Sequence, residues 1–445
     1  MYVAAFTNPE NPGFSLEDLQ KWLWELQEVL STQHNGLFLD EVRSLSQKVR
    51  IFGLHFSTID IRQDSRVISA AVQEILDTGK VDLKFSSKTP SPEERIGALF
   101  NVSDEVSINE IETEQHQDTL ASFSNIRKIK AQNGDFGAYR FIISNCRGVV
   151  DIAHVFALAR ISGWKGQMNL DIIPLFETIQ DLGIAGEFMQ ILYENKVYRA
   201  HLEGLINKQV IMLGFSDGTK DAGYLTANWA IYKAKEEITK VSRALGISVT
   251  FFDGRGGPPA RGGGNTHKFY ASLGSEIESN RIQLTGQGQT ISSNFGTTES
   301  SKHNLEQLLS AGLENAVFND PDKQLDLSSR QLINELSEIS YSTYKEFKNH
   351  PCFVPYLEKM SPLQYYGQTN IGSRPSKRGK SESLKFEDLR AIPFVGAWSQ
   401  LKQNVPGFYG LGTAFEQLDK AGRLDKVKTL FERSLFFRTL LENSM

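Results

Sequence analysis

One short segment combines glycines and arginines in a pattern suited to binding an anion. The segment FFDGRGGPPARGGG, residues 251–264, contains six glycines, with Arg255 and Arg261 at separate positions among them. Glycine lets the backbone approach a ligand closely and adopt positive φ, while a guanidinium can donate two parallel hydrogen bonds to a phosphate or carboxylate. A flexible linker is the weaker interpretation, because linkers are usually Gly/Ser-rich without arginines. We therefore predict an anion-binding loop in which Gly262 and Gly263 contact the substrate.

Two acidic residues elsewhere in the chain have the chemistry of metal ligands. Glu177 lies in PLFET and Asp217 lies in GFSDGTKDAG. Hard oxygen ligands from two different strands suit Mg²⁺ or Mn²⁺. For Asp217 a second interpretation stays open, since the residue could instead cap the helix that follows. Lys220 lies in the same turn, where its cation can meet a phosphate bound at a helix N-terminus.

Five short apolar runs are predicted to be the buried strands that position these side chains. They are residues 51–61, 139–144, 170–176, 210–215 and 247–252. A helix from Leu225 to Leu245, closed by Gly246, separates the last two, and alternation of strands and helices is typical of a parallel sheet. Polar residues are expected at the strand ends, namely Asp60, Arg62, Ser144, Glu177, Asp217, Asp253 and Arg255. In a parallel barrel those ends share one face, so we predict a single site there.

Helical patterns flank this region on both sides. Ser15 and Asp18 stand at capping-box spacing before a stripe of leucines, and from Lys302 onward the pattern is helical only. We predict an N-terminal helical segment at 1–48, a barrel region with the metal and anion site at 49–300, and a helical C-terminal region at 301–445. The last contains a basic loop at 368–387, which we expect to be mobile. A basic run of this kind is ordinarily a solvated surface stretch.

Composition narrows the class of protein. The chain has 445 residues, 40% of them hydrophobic and 23% charged, which is an ordinary globular balance. A formal net charge of -5 argues against a nucleic-acid partner. Neither a signal peptide nor a membrane-spanning run is recognised, so we expect a cytoplasmic protein without a membrane partner. Cys146 and Cys352 are too few for a disulfide framework, and we expect both to be buried.

Taken in order, the motifs resemble those of the phosphoenolpyruvate carboxylases. Those that carry the resemblance are VRIFGLHFSTIDIRQDS, FIISNC, PLFETIQDL, GFSDGTKDAG, FFDGRGGPPARGGG, GSRPSKRG and LRAIPFVGAW. The resemblance implies a helix-rich α/β fold, an incomplete or elaborated (β/α)₈ TIM-type barrel with many extra helices. It also implies carboxylation of phosphoenolpyruvate with bicarbonate to give oxaloacetate and phosphate, through carboxyphosphate and a pyruvate enolate, with Mg²⁺ or Mn²⁺ as cofactor.

The resemblance also implies roles for individual residues. Glu177 and Asp217 resemble the family's metal ligands. Catalytic roles fall to Lys220, which resembles the active-site lysine, to Arg255, and to Arg261, which resembles an arginine of the carboxylation step and of inhibition by C4 dicarboxylates. The remaining arginines resemble residues that contact the substrate phosphate or carboxyphosphate; they are Arg62, Arg374 and Arg390.

Three departures from the family pattern lead us to expect weak or no activity from this chain alone. The TAHPTE-like motif with the family's essential histidine is absent, Asp253 stands where many members have His, and the sequence stops where the family continues. Fewer than eight strands are predicted, which leaves an exposed sheet edge unless another chain covers it. We expect a truncated fragment, a partial gene product or one piece of a split enzyme, and the family implies a homotetramer.

A second function remains open at this point. The same barrel could serve as a non-catalytic module that binds a phosphorylated metabolite or a partner protein and performs no chemistry. Fold alone does not separate these functions. Metal-dependent substrate binding separates them, because only the carboxylase requires Glu177 and Asp217 to act together.

Overall fold

A computed structural model describes residues 15–85, 90–286, 289–318, 324–366, 386 and 389–443. Its strands follow one another across a six-stranded sheet in sequence order, and every neighbouring pair is parallel. The strands are β1 Asp60–Asp64, β2 Arg140–Ser144, β3 Asp171–Phe176, β4 Lys208–Gly214, β5 Ser248–Gly254 and β6 Ile282–Leu284. This sheet, together with the many helices, confirms the predicted helix-rich α/β class.

Helices connect the strands and make up most of the rest of the described chain. Those up to β5 are α1 Leu16–Gln33, α2 Leu39–Phe52, α3 Ser65–Asp77, α4 Pro92–Phe100, α5 Glu114–Asn133, α6 Val149–Ile161, α7 Ile179–Glu194, α8 Lys196–Gly204, α9 Phe215–Ala222 and α10 Tyr224–Ala244. Those after β5 are α11 Thr266–Ala271, α12 Gln289–Phe295, α13 Thr298–Val317, α14 Leu327–Lys348, α15 Phe353–Met360, α16 Leu363–Tyr366, α17 Ala391–Gln400, α18 Val405–Phe408, α19 Leu411–Lys420, α20 Leu424–Arg433 and α21 Leu435–Glu442.

The chain forms two compact units, and the first comprises the described residues up to Pro174 together with Lys196–Ile206. Its strands β1 and β2 pair in register from Asp60 opposite Arg140 to Asp64 opposite Ser144. Helix α6 is buried on nearly all sides because its sequence, VVDIAHVFALARI, is apolar around the whole circumference. The N-terminal helix α1 begins as predicted, with a capping box between Ser15 and Asp18.

The second unit comprises Leu175–Asn195 and the residues from Asn207 onward. Strands β4 and β5 pair along their full length, from Lys208 opposite Ser248 to Gly214 opposite Gly254. Helix α10 follows the predicted span, and Gly246, with φ +67°, ends its last turn. Its apolar side is buried, which fixes α10 against its neighbours.

The structure corrects four local predictions. Residues 51–61 are not a strand: α2 continues to Phe52 because its apolar residues recur at helical spacing, and the strand begins only at Asp60. Asp60 therefore opens β1 instead of closing it, and Arg62 lies at the middle of the strand. The three-residue β6 was missed, because so short a run carries no periodic signal. Cys146 is buried as expected, whereas Cys352 is exposed.

Within the described residues, none of the helices combines the length and apolar character that crossing a bilayer requires.

A buried histidine in the first unit predicts how stability depends on pH. Burial lowers the pKa of His201 from 6.5 to about 4, and its ring packs against Phe156 and Tyr198. The folded chain therefore keeps this imidazole neutral, while the unfolded chain protonates it below pH 6.5. We expect up to about 3 kcal/mol of unfolding free energy to be lost as pH falls from 6.5 to 4.

The measurement is urea unfolding across this pH range for the natural chain and for His201→Leu. The substitution should flatten this part of the profile. His34→Leu, which replaces an exposed histidine in the same way, is the matched control, and the difference between the two variants isolates the contribution of burial. An identical pH profile in His201→Leu would refute the assignment.

Candidate metal and anion site

Glu177 lies immediately after the last residue of β3. Its side chain is only 6% exposed, and Thr178 and Asp181 form a capping box that starts α7 directly behind it. A Cβ atom added to Gly214, at the end of β4, would lie 3.0 Å from Cγ of Glu177. The absence of a side chain at Gly214 thus lets the carboxylate of Glu177 extend over the end of the neighbouring strand.

Asp217 lies in the first turn of α9, next to that same strand end. The N-cap residue of α9 is Gly214, so the alternative that Asp217 caps the helix is wrong. The charge of Asp217 acts on Arg261, where it opposes the lowering of the arginine pKa by burial. Ser216 also donates a hydrogen bond to the Arg261 carbonyl oxygen at 3.1 Å. An acidic and a basic candidate residue are therefore neighbours.

The donor set is compatible with a hard divalent cation. Among the residues that the structure describes, no group of three or more His, Cys, Asp or Glu side chains could hold a metal ion. Mg²⁺ usually keeps several waters and takes one or two carboxylates together with substrate oxygens. Glu177 and Asp217, at adjacent strand ends, fit that requirement.

The glycine-rich segment folds back on itself after β5. The amide of Gly263 donates to the Pro258 carbonyl at 3.0 Å, and that of Gly264 donates to the Gly257 carbonyl at 2.9 Å. Gly262 has φ +75°, and a Cβ there would lie 2.6 Å from Cβ of Phe215. These glycines are required because the backbone has positive φ at Gly262 and Gly264 and the turn is too tight for side chains at other positions.

Arg255 is buried at the start of this loop. Its Nη1 donates to the Gly264 carbonyl at 3.2 Å and to the Thr266 hydroxyl at 3.1 Å, and its guanidinium lies 4.6 Å from the ring centroid of Phe269. Burial lowers the pKa of Arg255, but an arginine remains charged even so. Arg255 also lines a cavity of about 1220 Å³, whose wall includes Lys268. The loop thus places a desolvated cation beside an open space.

Lys220 joins the site from α9. Its ammonium donates to the Leu389 carbonyl at 2.9 Å and lies 4.6 Å from the ring centroid of Phe386, while its own carbonyl accepts from Tyr344 at 2.9 Å. Leu389 directly precedes Arg390, the N-cap residue of α17. Lys220 therefore ties the segment that carries Arg390 to the helix that carries Asp217.

The second unit brings together most of the predicted site residues. Grouped around β3, β4, β5, α9 and α17 are Glu177, Asp217, Lys220, Arg255, Arg261, Gly262, Gly263 and Arg390. Arg62 belongs to the first unit, where it pairs with Ile142 across β1 and β2. Arg374 and most of the basic loop lie outside the described residues. The roles of all these residues stay predictions.

Sequence reasoning missed a buried ionic cluster behind the loop. Nζ of Lys235 lies 2.7 Å from Oδ2 of Asp253, and the Tyr270 hydroxyl donates to the same oxygen at 2.6 Å. Both charged side chains are only 1% exposed. The available signal was Lys235 itself, which interrupts the apolar side of α10 between Ile231 and Ile238. Asp253 is thus the partner of a buried lysine.

Comparison with known proteins identifies the family. The sequence profile described as "Phosphoenolpyruvate carboxylase" matches residues 4–445. The curated phosphoenolpyruvate carboxylase of Xanthomonas campestris pv. campestris is 33% identical over 430 residues, which are 96% of this chain and 46% of the relative. The chain thus spans about half the length of that relative. With its ordered motifs and its parallel sheet, this chain belongs to the phosphoenolpyruvate carboxylase family.

Proposed function

We propose that this chain forms the metal- and anion-binding part of a phosphoenolpyruvate carboxylase. One observation carries the proposal: Glu177, Asp217 and the arginine-bearing loop lie in one unit, at the carboxyl ends of consecutive parallel strands. That is the edge at which parallel α/β folds bind their substrates. Family membership supplies the reaction, and the donor set at this edge suits its substrates, which are both anions.

The reaction is carboxylation of phosphoenolpyruvate in two stages. First, the bond between phosphorus and the enol oxygen breaks and a bond from phosphorus to a bicarbonate oxygen forms, which gives carboxyphosphate and pyruvate enolate. Carboxyphosphate then splits into CO₂ and phosphate, and the enolate carbon bonds to CO₂ to give oxaloacetate. Both stages build up or move negative charge, so fixed cations at the site stabilise them.

The residues of this chain divide that work between them. Arg255, Arg261 and Arg390 offer forked donors to the phosphate and carboxylate oxygens, because guanidinium groups match those anions in a bidentate way. Lys220 adds a buried ammonium, which anchors the segment that carries Arg390 through the Leu389 carbonyl. When bound, Mg²⁺ or Mn²⁺ on Glu177 and Asp217 would supply Lewis-acid stabilisation of the developing oxyanions.

Finer features belong to the same proposal. The family pattern favours a cytoplasmic homotetramer, inhibition by C4 dicarboxylates through Arg261, and further phosphate contacts from Arg62 and Arg374. The resemblance also implies an essential histidine in a TAHPTE-like motif, and that motif does not occur among these 445 residues.

Calorimetric titration of phosphoenolpyruvate, with and without Mn²⁺, tests the proposal. We expect Mn²⁺ to strengthen binding at least about tenfold in the natural chain, and Glu177→Gln and Asp217→Asn each to abolish that gain, because each removes a carboxylate charge from the metal. Glu187→Gln, on the exposed side of α7, is the matched control and should retain the gain.

If the affinity for phosphoenolpyruvate is the same with and without Mn²⁺ and in both variants, the carboxylase assignment is rejected in favour of a non-catalytic metabolite-binding module. If the folded chain binds no phosphoenolpyruvate either with or without Mn²⁺, both the carboxylase function and the metabolite-binding function are contradicted for this chain.

A further inference from the structure

The predicted anion-binding loop, residues 251–264, is called the anion loop below. It depends on contacts with other parts of the chain to keep its shape. Its internal hydrogen bonds join residues 256–264 to one another, but six glycines leave few side chains for packing. Glycine-rich backbone loses more conformational entropy on ordering than any other sequence. Neighbouring elements must therefore hold the second half of the loop, where Gly262 and Gly264 have φ of +75° and +114°.

Two side chains provide that contact, one at the start of α10 and one directly after the end of α21. The hydroxyl of Tyr224, at the first position of α10, donates to the Gly263 carbonyl at 2.8 Å. The side-chain amide of Asn443 donates to that hydroxyl at 3.0 Å, and its Oδ1 accepts from the backbone amide of Asn265 at 2.8 Å. Asn443 therefore bridges the loop and Tyr224 with both ends of its amide.

The fit at this contact is close on both sides. A Cβ atom added to Gly264 would lie 2.3 Å from Cγ of Asn443, so the asparagine occupies the space that a side chain on the loop would need. Arg255 donates to the carbonyl of that same Gly264 and acts on Tyr224, where its charge opposes the rise in pKa that burial causes. The bridge thus reaches the backbone that Arg255 holds.

The helix before Asn443 is itself firmly placed. Ser434 caps α21, and the buried ring of Phe436 lies 4.5 Å from that of Tyr232 on α10, the helix that also supplies Tyr224. A partly exposed ion pair also holds the end of α21, since Nζ of Lys268 on α11 lies 2.7 Å from a carboxylate oxygen of Glu442. Asn443 is consequently presented to the loop by a packed helix end.

We propose that Asn443 is a positioning residue that, through Tyr224 and Asn265, holds the anion loop in its binding conformation. The proposal rests on the proposed function only for the identity of the anion; the effect on the loop is independent of it. Loss of the bridge frees the backbone from Gly263 to Asn265. It thereby loosens the support of Arg255 without removing any group that contacts substrate.

Two measurements on Asn443→Ala test this. Hydrogen exchange of the ligand-free protein, followed by mass spectrometry over residues 255–266, should become about tenfold faster, and Mn²⁺-supported phosphoenolpyruvate binding should weaken by a similar factor. Glu442→Gln removes the neighbouring ion pair with Lys268 and is the matched control. Its loop exchange rate and its affinity for phosphoenolpyruvate should each change less than about twofold.

Tyr224→Phe is a second variant that keeps the aromatic packing and removes only the hydroxyl. Its effect and that of Asn443→Ala should not add in the double variant, because both break the same bridge. Unchanged loop exchange in Asn443→Ala, or fully additive effects, would overturn the proposal. A third outcome separates the two proposals. If loop exchange becomes faster in Asn443→Ala but the natural chain binds no phosphoenolpyruvate, the positioning role of Asn443 is retained and the proposed function is rejected.

Discussion

Replacing Lys235 with methionine is expected to lower the free energy of unfolding by about 3 to 5 kcal/mol, as is typical when one partner of a buried ion pair is removed. Nζ of Lys235 lies 2.7 Å from Oδ2 of Asp253, and both side chains are almost fully buried. Burial lowers the lysine pKa, and the carboxylate opposes that shift. Without the lysine, Asp253 would lie in the interior without its ion-pair partner, although the Tyr270 hydroxyl would still donate to Oδ2.

The double variant Lys235→Met/Asp253→Asn should recover much of this loss. It removes both charges while the asparagine carbonyl can still accept from Tyr270, and neutral replacement of a buried pair is often tolerated. Denaturant unfolding of both single variants and of the double variant gives the coupling energy directly. An additive double variant would show that the charges do not stabilise each other.

A surface pair provides the matched control for this experiment. Lys420 and Glu416 are 2.5 Å apart on α19, but both are largely exposed. Lys420→Met should leave the free energy of unfolding nearly unchanged, because solvent screens exposed pairs. If it costs as much as Lys235→Met, burial is not the reason that the inner pair matters.

Gly263→Ala is expected to weaken phosphoenolpyruvate binding by roughly a hundredfold or more, corresponding to about 3 kcal/mol of strain in the loop. The new Cβ would lie 2.1 Å from the Gly256 carbonyl oxygen and 2.2 Å from that of Gly257. Both are backbone atoms, so relief requires the loop to open. Opening separates the two ends of the turn and displaces the arginines that flank it.

Two other glycines serve as controls for the loop experiment. At Gly257 the added Cβ would meet the Thr290 hydroxyl at 2.7 Å, a contact that rotation of the threonine side chain can relieve, so the loss of affinity should be smaller. At Gly412, on α19, the added atom would meet nothing within 4 Å, and binding should be unchanged. If Gly263→Ala binds phosphoenolpyruvate as tightly as the natural chain, measured by calorimetry with Mn²⁺, this loop is excluded as the anion site.

Much of the fold could be predicted because local patterns and the tertiary structure agree. The capping box at Ser15 and the strands β2 to β5 were recognised from hydrophobic spacing and from residues that stop helices. The exceptions have local causes. The apolar run near Phe52 completes a helix, whereas β1 is built from the polar sequence DIRQD and is only half-buried.

The grouping of candidate site residues was also predictable, but their contacts were not. Polar residues at the carboxyl ends of parallel strands must share one edge, which brings Glu177, Asp217 and Arg255 together. No such rule joins Lys220 to the carbonyl of Leu389, since 169 residues separate them in the chain. Contacts across such separations depend on how whole helices pack.

The sequence by itself determined the class of fold, the family and the chemical character of the loop, because these follow from short patterns of hydrophobicity, glycine and charge. Only the tertiary structure decided that Asp253 neutralises Lys235 and that Asn443 bridges the loop to Tyr224. The physical reason is that an ion pair or a side-chain hydrogen bond acts over a few ångströms in space. The local spacing of residues along the chain carries no information about which distant groups will meet there.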